Sequence, residues 1–348
     1  MKNNRLLYLL IIILTIWCIV LTTMVTNKTD EVSNQIINEV EINGFSTDFT
    51  KIINEKSSSI VSINANGAIG SGFVYKQDGE DIYILSAYHT IADANSYYVY
   101  FANGMHLSAT LIDKNIYADL ALLQVKSPYN IDTLKLADST LLKAGEFVVS
   151  IGTPISLEYD NSVELGMISN PLRTIENSIT VLDEKINYNL DVIQLSSNLK
   201  PGFSGSPLLN MAGEVVGMVT MSLKDGYNFA ITSNEIKIMA DRMIAGQKIV
   251  KYQLGIMGSY IKDMPMFEKS NLNISVETIN GLYVEKLIDN CAALNAGVKV
   301  GDVILSINGV ELNTMSDYLN VVYNETQNFE FLVLRDGQTI LFRIEIND

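Results

Sequence analysis

Pro201-Gly-Phe-Ser-Gly-Ser-Pro-Leu-Leu-Asn210 is the stretch on which the reading of the fold turns. A serine between glycines, with proline and apolar residues behind it, can present its hydroxyl on a tight turn against a strand. The glycines permit close backbone approach, so the N–H groups of Gly202 and Ser204 can aim at one point in front of that hydroxyl. Ser-Gly pairs are also ordinary turn chemistry, so the stretch takes its meaning from what lies around it.

Upstream and downstream the chain breaks into short strand-like runs separated by Gly, Asn and Asp. They fall at Ser59–Asn64, Gly72–Lys76, Ile82–Ala87, Tyr97–Phe101, Leu107–Ile112, Leu120–Val125 and Phe147–Ile151. The series continues at Met167–Ser169, Ile179–Asp183, Val192–Gln194, Pro207–Leu209, Val215–Met221 and Phe229–Ile231. Such spacing predicts an antiparallel barrel or sandwich. Helical patterns precede it at Phe49–Glu55 and close it at Glu235–Ala245, which stops at Gly246.

Two residues of this β pattern bear on the serine. His89 follows the apolar run Ile-Leu-Ser-Ala-Tyr, and Asp119 opens Asp-Leu-Ala-Leu-Leu-Gln-Val. A buried strand-end aspartate needs a partner. The order His89, Asp119, Ser204 on an all-β pattern matches the chymotrypsin-like order of the serine triad. In those roles Ser204 Oγ attacks a carbonyl, His89 carries the proton, and Asp119 orients the imidazole and stabilises its cation. The N–H groups of Gly202 and Ser204 form the oxyanion hole. His106, beyond Asn103-Gly104, reads as a strand-start residue and Asp113 as a turn residue, both outside this set.

Composition narrows the class. The 348 residues suffice for two or three domains, and 48% apolar with 18% charged residues describes a largely globular chain. A net charge of −15 argues against nucleic acid, and against an anionic membrane surface as the main ligand. Cys18 lies in the N-terminal apolar run and Cys291 far from it near the C-terminus, so no disulfide framework is expected, and two histidines make no zinc motif. No cofactor is implied.

Lys2 and Arg5 precede twenty uncharged residues, Leu6–Val25, long enough to span a bilayer. Without an Ala-x-Ala end the run reads as an uncleaved anchor rather than a signal peptide. The positive-inside rule puts residues 1–5 in the cytoplasm and everything after the span outside. The expected organisation is 1–5 cytoplasmic, 6–25 transmembrane, 26–47 polar linker, 48–248 first globular domain and 249–348 a second, α+β domain. In the last, strand patterns fall at Leu254–Ile256, Gly281–Lys286, Asp302–Ile307, Phe329–Leu334 and Ile340–Ile346, with helices at Ala292–Ala296 and Met315–Val322.

From about residue 55 onward the chain resembles the HtrA/Deg family of membrane-linked serine proteases. Ala68-Ile-Gly-Ser-Gly-Phe-Val74, Asp119-Leu-Ala-Leu-Leu, Ser150-Ile-Gly-Thr-Pro154, Leu165-Gly-Met-Ile-Ser169 and Asn228-Phe-Ala-Ile231 are similar to its motifs. Gly281-Leu-Tyr-Val-Glu, Ala292-Ala-Leu-Asn-Ala-Gly297 and Val300-Gly-Asp-Val-Ile-Leu-Ser-Ile-Asn-Gly309 resemble a bacterial PDZ domain. The resemblance implies a chymotrypsin-like double β-barrel followed by a PDZ domain, mostly β, in the DegS-type layout with one anchor. It also implies a homotrimer, and a loop of Tyr252, Gln253, Leu254, Gly255 and Ile256 that takes a peptide's C-terminal carboxylate, the peptide adding as a strand beside Leu254–Ile256. Asn198 and Leu199 fall where such proteases place the floor of the specificity pocket; Asn198 either makes that pocket polar or hydrogen-bonds within a loop.

One departure stands out. The family usually has Asn before the nucleophile and Gly-Gly after it, where this chain has Phe203 and Gly205-Ser206. A bulky residue at 203 is expected to bias the Pro201–Gly202 peptide that must turn its N–H inward. The leading expectation is an endopeptidase outside the cytoplasmic membrane, cutting unfolded, membrane-associated or regulatory proteins. The alternative is a weak or inactive protease-fold scaffold that works by binding peptides at its PDZ domain.

Overall fold

A computed structural model of the protein describes residues 13–24, 46–181, 184–222, 227–249, 252, 254–272, 274, 280–288, 291–323 and 327–346. Contacts divide the chain into Met1–Ile52 and Ile53–Asp348. In the first unit, 13–24 is helical with its apolar side chains exposed, Ile13, Leu14, Trp17 and Ile19 among them. Among the described residues no helix is long and apolar enough to cross a membrane. Of the expected span 6–25, residues 6–12 and 25 lie outside the described residues, as do residues 26–45 of the expected linker.

The second unit begins with two six-stranded barrels, each closed. In the first, β1 (Ile60–Ala65), β2 (Ala68–Asp78) and β3 (Asp81–Ala87) are followed by β4 (Tyr97–Phe101), β5 (His106–Asn115) and β6 (Leu120–Lys126), in the order β1-β2-β3-β6-β5-β4. Val61, Ile63, Val74, Ile82, Ile84, Val99, Leu123 and Val125 fill it. Inward residues recur every second position, as a pleated strand requires. Closure leaves no barrel edge to pair with another chain.

The second barrel takes β7 (Phe147–Gly152), β8 (Ser162–Val181), β9 (Glu184–Leu195), β10 (Pro207–Leu209), β11 (Val215–Ser222) and β12 (Asn228–Thr232), in the order β10-β11-β12-β9-β8-β7. Its core includes Val148, Ile168, Ile193, Leu195, Leu208, Val216 and Val219. β8 and β9 form one long ribbon, paired from Ile168 against Leu195 out to Val181 against Glu184. The sequence divides this ribbon into three short apolar runs. The ladder continues through Arg173–Glu176 and Asn189–Val192 because backbone hydrogen bonds need no apolar side chain.

Helix Ser233–Ile244 leaves the second barrel with Thr232 as its N-cap, the hydroxyl accepting from Glu235 N–H. Its buried face is Ile236, Met239, Ala240 and Met243, the spacing of one helical stripe. The remaining sheet runs β13-β14-β15-β17-β18, from β13 (Ile256–Tyr260), β14 (Leu282–Leu287), β15 (Val303–Ile307), β17 (Asn328–Arg335) and β18 (Gln338–Glu345); β16 (Val310–Glu311) pairs with β15. Arg335 forks onto buried Asp302, with Nε 2.6 Å from Oδ1 and a terminal nitrogen 2.7 Å from Oδ2. This fork joins the start of β15 to the end of β17. Buried Tyr323, after helix Met315–Val322, donates to buried Glu235 at 2.7 Å and so ties this sheet to the barrel helix. Burial and that carboxylate hold the phenol well above its ordinary pKa, so it stays protonated and can donate.

Candidate active site

His89, Asp119 and Ser204 come from three different loops and meet at the seam of the barrels. His89 sits on the turn Tyr88–Thr90 that ends β3. Asp119 precedes β6 in a left-handed conformation, φ 55°, which aspartate tolerates better than most residues. Its carbonyl accepts the Tyr88 N–H at 3.0 Å and its Oδ1 accepts the His89 N–H at 2.8 Å. The acid therefore grips the histidine's backbone as well as its ring.

The side chains form a relay. His89 Nδ1 lies 2.7 Å from Asp119 Oδ2, and His89 Nε2 lies 2.9 Å from Ser204 Oγ. The Asp119 side chain is 10% exposed and that of His89 50%, so the acid is shielded while the imidazole opens to solvent. Thr220, on β11, donates a second hydrogen bond to Asp119 Oδ2, and its carbonyl accepts the Ser204 hydroxyl at 3.3 Å. Sequence reading missed Thr220. The signal available is only a buried hydroxyl on the strand after the nucleophile.

Burial pulls the His89 pKa down, but the hydrogen bond and charge of Asp119 outweigh it, and the net shift is upward from 6.5. His89 must be neutral to take the Ser204 proton. The acid limb of kcat/KM should therefore have its midpoint above 6.5, read from a pH–rate profile over about pH 5 to 9. A midpoint at or below 6.5 would mean that the Asp119 contact does not hold in solution.

In front of Ser204, Lys200-Pro-Gly-Phe203 forms a turn closed by Phe203 N–H to the Lys200 carbonyl at 3.1 Å. Proline at its second position and Gly202 at φ 102° at its third define a type II turn. The Pro201 carbonyl accepts the Ile155 N–H at 3.1 Å. A trans peptide sets its N–H opposite its carbonyl, so the Gly202 N–H points away from Ile155. Among the described residues neither the Gly202 nor the Ser204 N–H has an acceptor. A Cβ at 202 would lie 2.3 Å from the Thr153 carbonyl oxygen. Gly202→Ala should thus force the turn apart and lower kcat about 10²- to 10³-fold, the scale of losing one oxyanion donor. A kcat within threefold of the parent would refute that geometry.

Phe203 behaves otherwise than its size leads one to expect. Its ring is 1% exposed and packs with Leu142, Ile168, Leu199 and Leu208 in the second barrel's core. The bulk is absorbed inward, and it anchors the type II turn instead of reversing it. The one feature of the sequence that favours an inactive scaffold therefore does not disturb the turn. Ile155 carries strain in turn: it is β-branched at φ 66°, a conformation costing about 1–3 kcal/mol, and its side chain is exposed.

The other sequence-predicted residues distribute as follows. Leu199 is buried against Phe203, so it backs the turn from the core. Asn198 is exposed and makes no side-chain hydrogen bond among the described residues. In the PDZ-like sheet the strand begins at Ile256 rather than Leu254. Leu254 and Gly255, the latter at φ 73°, form the loop before it. Their carbonyls turn into the body, accepting from Ala293 and Ile288 N–H respectively. Tyr252 meets Phe329 edge-on, with ring centroids 5.5 Å apart. Gln253 lies outside the described residues. His106 opens β5 and stacks on Tyr100, far from this chemistry in role.

The chain is similar to known proteins. Residues 70–218 match the family model of a trypsin-like peptidase domain and 283–335 that of a PDZ domain. The chain is 31% identical over 287 residues to the serine protease Do-like HtrA of Lactobacillus helveticus, covering 80% of this chain and 68% of that one. It is 29% identical over 300 residues to the Do-like HtrA of Bacillus subtilis (strain 168), covering 84% and 66%. Among solved structures it is similar to the HtrA-type protease AlgW with tripeptide, at TM-score 0.57 and 25% identity, over 85% of this chain and 96% of that one. It is also similar to the serine endoprotease from Yersinia pestis, at TM-score 0.52 and 25% identity, over 87% and 99%. Two closed barrels, a histidine bridging serine and aspartate across their seam, and this kinship lead to one conclusion: the chain belongs to the HtrA family of serine proteases and joins a trypsin-like peptidase domain to a PDZ domain.

Proposed function

We propose that the protein is an extracytoplasmic serine endopeptidase, held by an N-terminal anchor, that cleaves unfolded or regulatory proteins through an acyl-enzyme. Ser204 Oγ attacks the scissile carbonyl while His89 Nε2 takes its proton, and His89 then delivers that proton to the leaving amine. Asp119 keeps the Nδ1–H tautomer and balances the imidazolium. The Gly202 and Ser204 N–H groups receive the oxyanion. One observation carries the reading: His89 stands 2.9 Å from Ser204 Oγ through one ring nitrogen and 2.7 Å from Asp119 through the other.

Exposed Asn198 gives the specificity pocket its polar group, and Leu199 supports it from behind. The PDZ unit takes C-terminal peptides on the loop Tyr252–Ile256. Support comes from β13, which lies at the end of its sheet and, among the described residues, pairs only with β14, leaving an edge for strand addition. The uncharged Leu6–Val25 run supports single-pass anchoring in the cytoplasmic membrane, and family resemblance supports a homotrimer.

The test uses the full chain in detergent with an unfolded protein such as reduced casein, and a fluorophosphonate probe. Cleavage together with covalent labelling of Ser204 is expected. Peptide binding without labelling would leave a scaffold, and solubility after removal of lipid and detergent would remove the anchor.

A further inference from the structure

Ser71 is where the two barrels meet the Gly202–Ser204 segment. It lies on β2, fully buried, with every polar atom engaged. Its N–H donates to the Ser204 carbonyl at 2.9 Å, and its own carbonyl accepts the Ser86 hydroxyl at 2.7 Å. Its Oγ donates to the Gly202 carbonyl at 2.7 Å and accepts the Thr153 N–H at 2.8 Å.

These bonds fall on the atoms that decide where an oxyanion could be held. Peptide units rotate as rigid planes, so restraining a carbonyl fixes the N–H on the far side of its plane. The Pro201 carbonyl is held by Ile155 N–H, which sets the plane carrying the Gly202 N–H. The next plane begins at the Gly202 carbonyl. That plane carries the Phe203 N–H, held within the turn by the Lys200 carbonyl, and it links the two planes that carry the Gly202 and Ser204 N–H groups. Ser71 Oγ holds the same plane at its carbonyl, and Ser71 N–H holds the segment again two residues on.

We propose that Ser71 is a positioning residue for the oxyanion hole, its hydroxyl clamping the Gly202 carbonyl so that the Gly202 and Ser204 N–H groups converge on the developing negative charge. This rests on reading those two N–H groups as the oxyanion hole. A control lies in the same seam. Ser62 on β1 is bonded to the Thr153 hydroxyl, joining the barrels without touching residues 202–204.

The experiment compares Ser71→Ala with Ser62→Ala in the full chain, reading kcat, KM, Tm and affinity for a peptidyl boronate whose tetrahedral adduct places an oxygen in the hole. Ser71→Ala should lower kcat about 10- to 100-fold with KM within twofold, and weaken the boronate by the same factor as kcat/KM. Ser62→Ala should lower Tm with kcat unchanged. Ser71→Cys, which keeps the shape at a somewhat larger volume with a weaker donor, should fall between parent and alanine, and carries the same comparison if the alanine variant fails to fold. Parental kcat and boronate affinity in the Ser71 variants would overturn the proposal, as would equal losses of kcat from Ser71→Ala and Ser62→Ala. A parent chain that neither cleaves nor labels would instead overturn the protease reading beneath it.

Discussion

Ser204→Ala should lower kcat by about 10⁶-fold, the scale on which loss of the nucleophile disables a triad as a unit. The rest of the molecule should scarcely notice. Among the described residues Ser204 Oγ bonds only His89 Nε2 and, at 3.3 Å, the Thr220 carbonyl. The His89 side chain is half exposed, so water replaces the lost partner and no stranded buried donor remains. Tm should stay within about 2 °C of the parent, because surface-accessible truncations rarely exceed 0.5 kcal/mol. The PDZ unit, whose loop shares no element with Ser204, should keep its affinity for a C-terminal peptide. Cleavage of casein, probe labelling and peptide binding read from one preparation separate these effects. Cleavage above 1% of the parent rate would assign the chemistry to some other nucleophile.

Much of this machinery is legible in the sequence, and the parts that are not share a physical cause. His89, Asp119 and Ser204 announce themselves because each sits where an apolar run meets a polar residue. Such a boundary is visible along the chain. Thr220 and Ser71 are invisible by the same logic: each is a small hydroxyl inside a buried strand, and its partner lies on another element. Phe203 misleads for a related reason, since sequence gives its bulk but not its direction. Only the packed second barrel shows that the ring is swallowed beside Leu199. The β8–β9 ribbon is undercounted because Thr174, Glu176, Asn177 and Ser178 on β8 and Asn187, Asn189 and Asp191 on β9 break its apolar residues into runs too short to read as one strand. In the PDZ unit Gly255 at φ 73° shifts the strand start from Leu254 to Ile256, a backbone fact that composition cannot carry.

Asp119→Asn should lower kcat about 10⁴-fold while leaving the three side chains in place, because it changes the tautomer of His89 rather than its position. The carboxylate accepts three hydrogen bonds, one from His89 N–H at Oδ1 and two, from His89 Nδ1–H and Thr220, at Oδ2. An asparagine has one acceptor oxygen and one NH₂. Setting NH₂ against the His89 backbone N–H would oppose two donors that cannot rotate. Setting it toward the ring costs less: Thr220 can turn its hydroxyl hydrogen away, and the imidazole can accept at Nδ1. The ring then carries its proton on Nε2, facing Ser204 Oγ, and cannot act as the base. The same change removes both influences that raise the His89 pKa and leaves burial, which lowers it. The imidazole of the Asn variant should therefore titrate below the parent's value, by nitrogen-detected NMR, with its neutral form protonated at Nε2. A kcat within tenfold of the parent, or an unchanged tautomer and titration, would show that Asp119 only supports the turn at Tyr88–Thr90 and that the relay through His89 is not what drives the reaction.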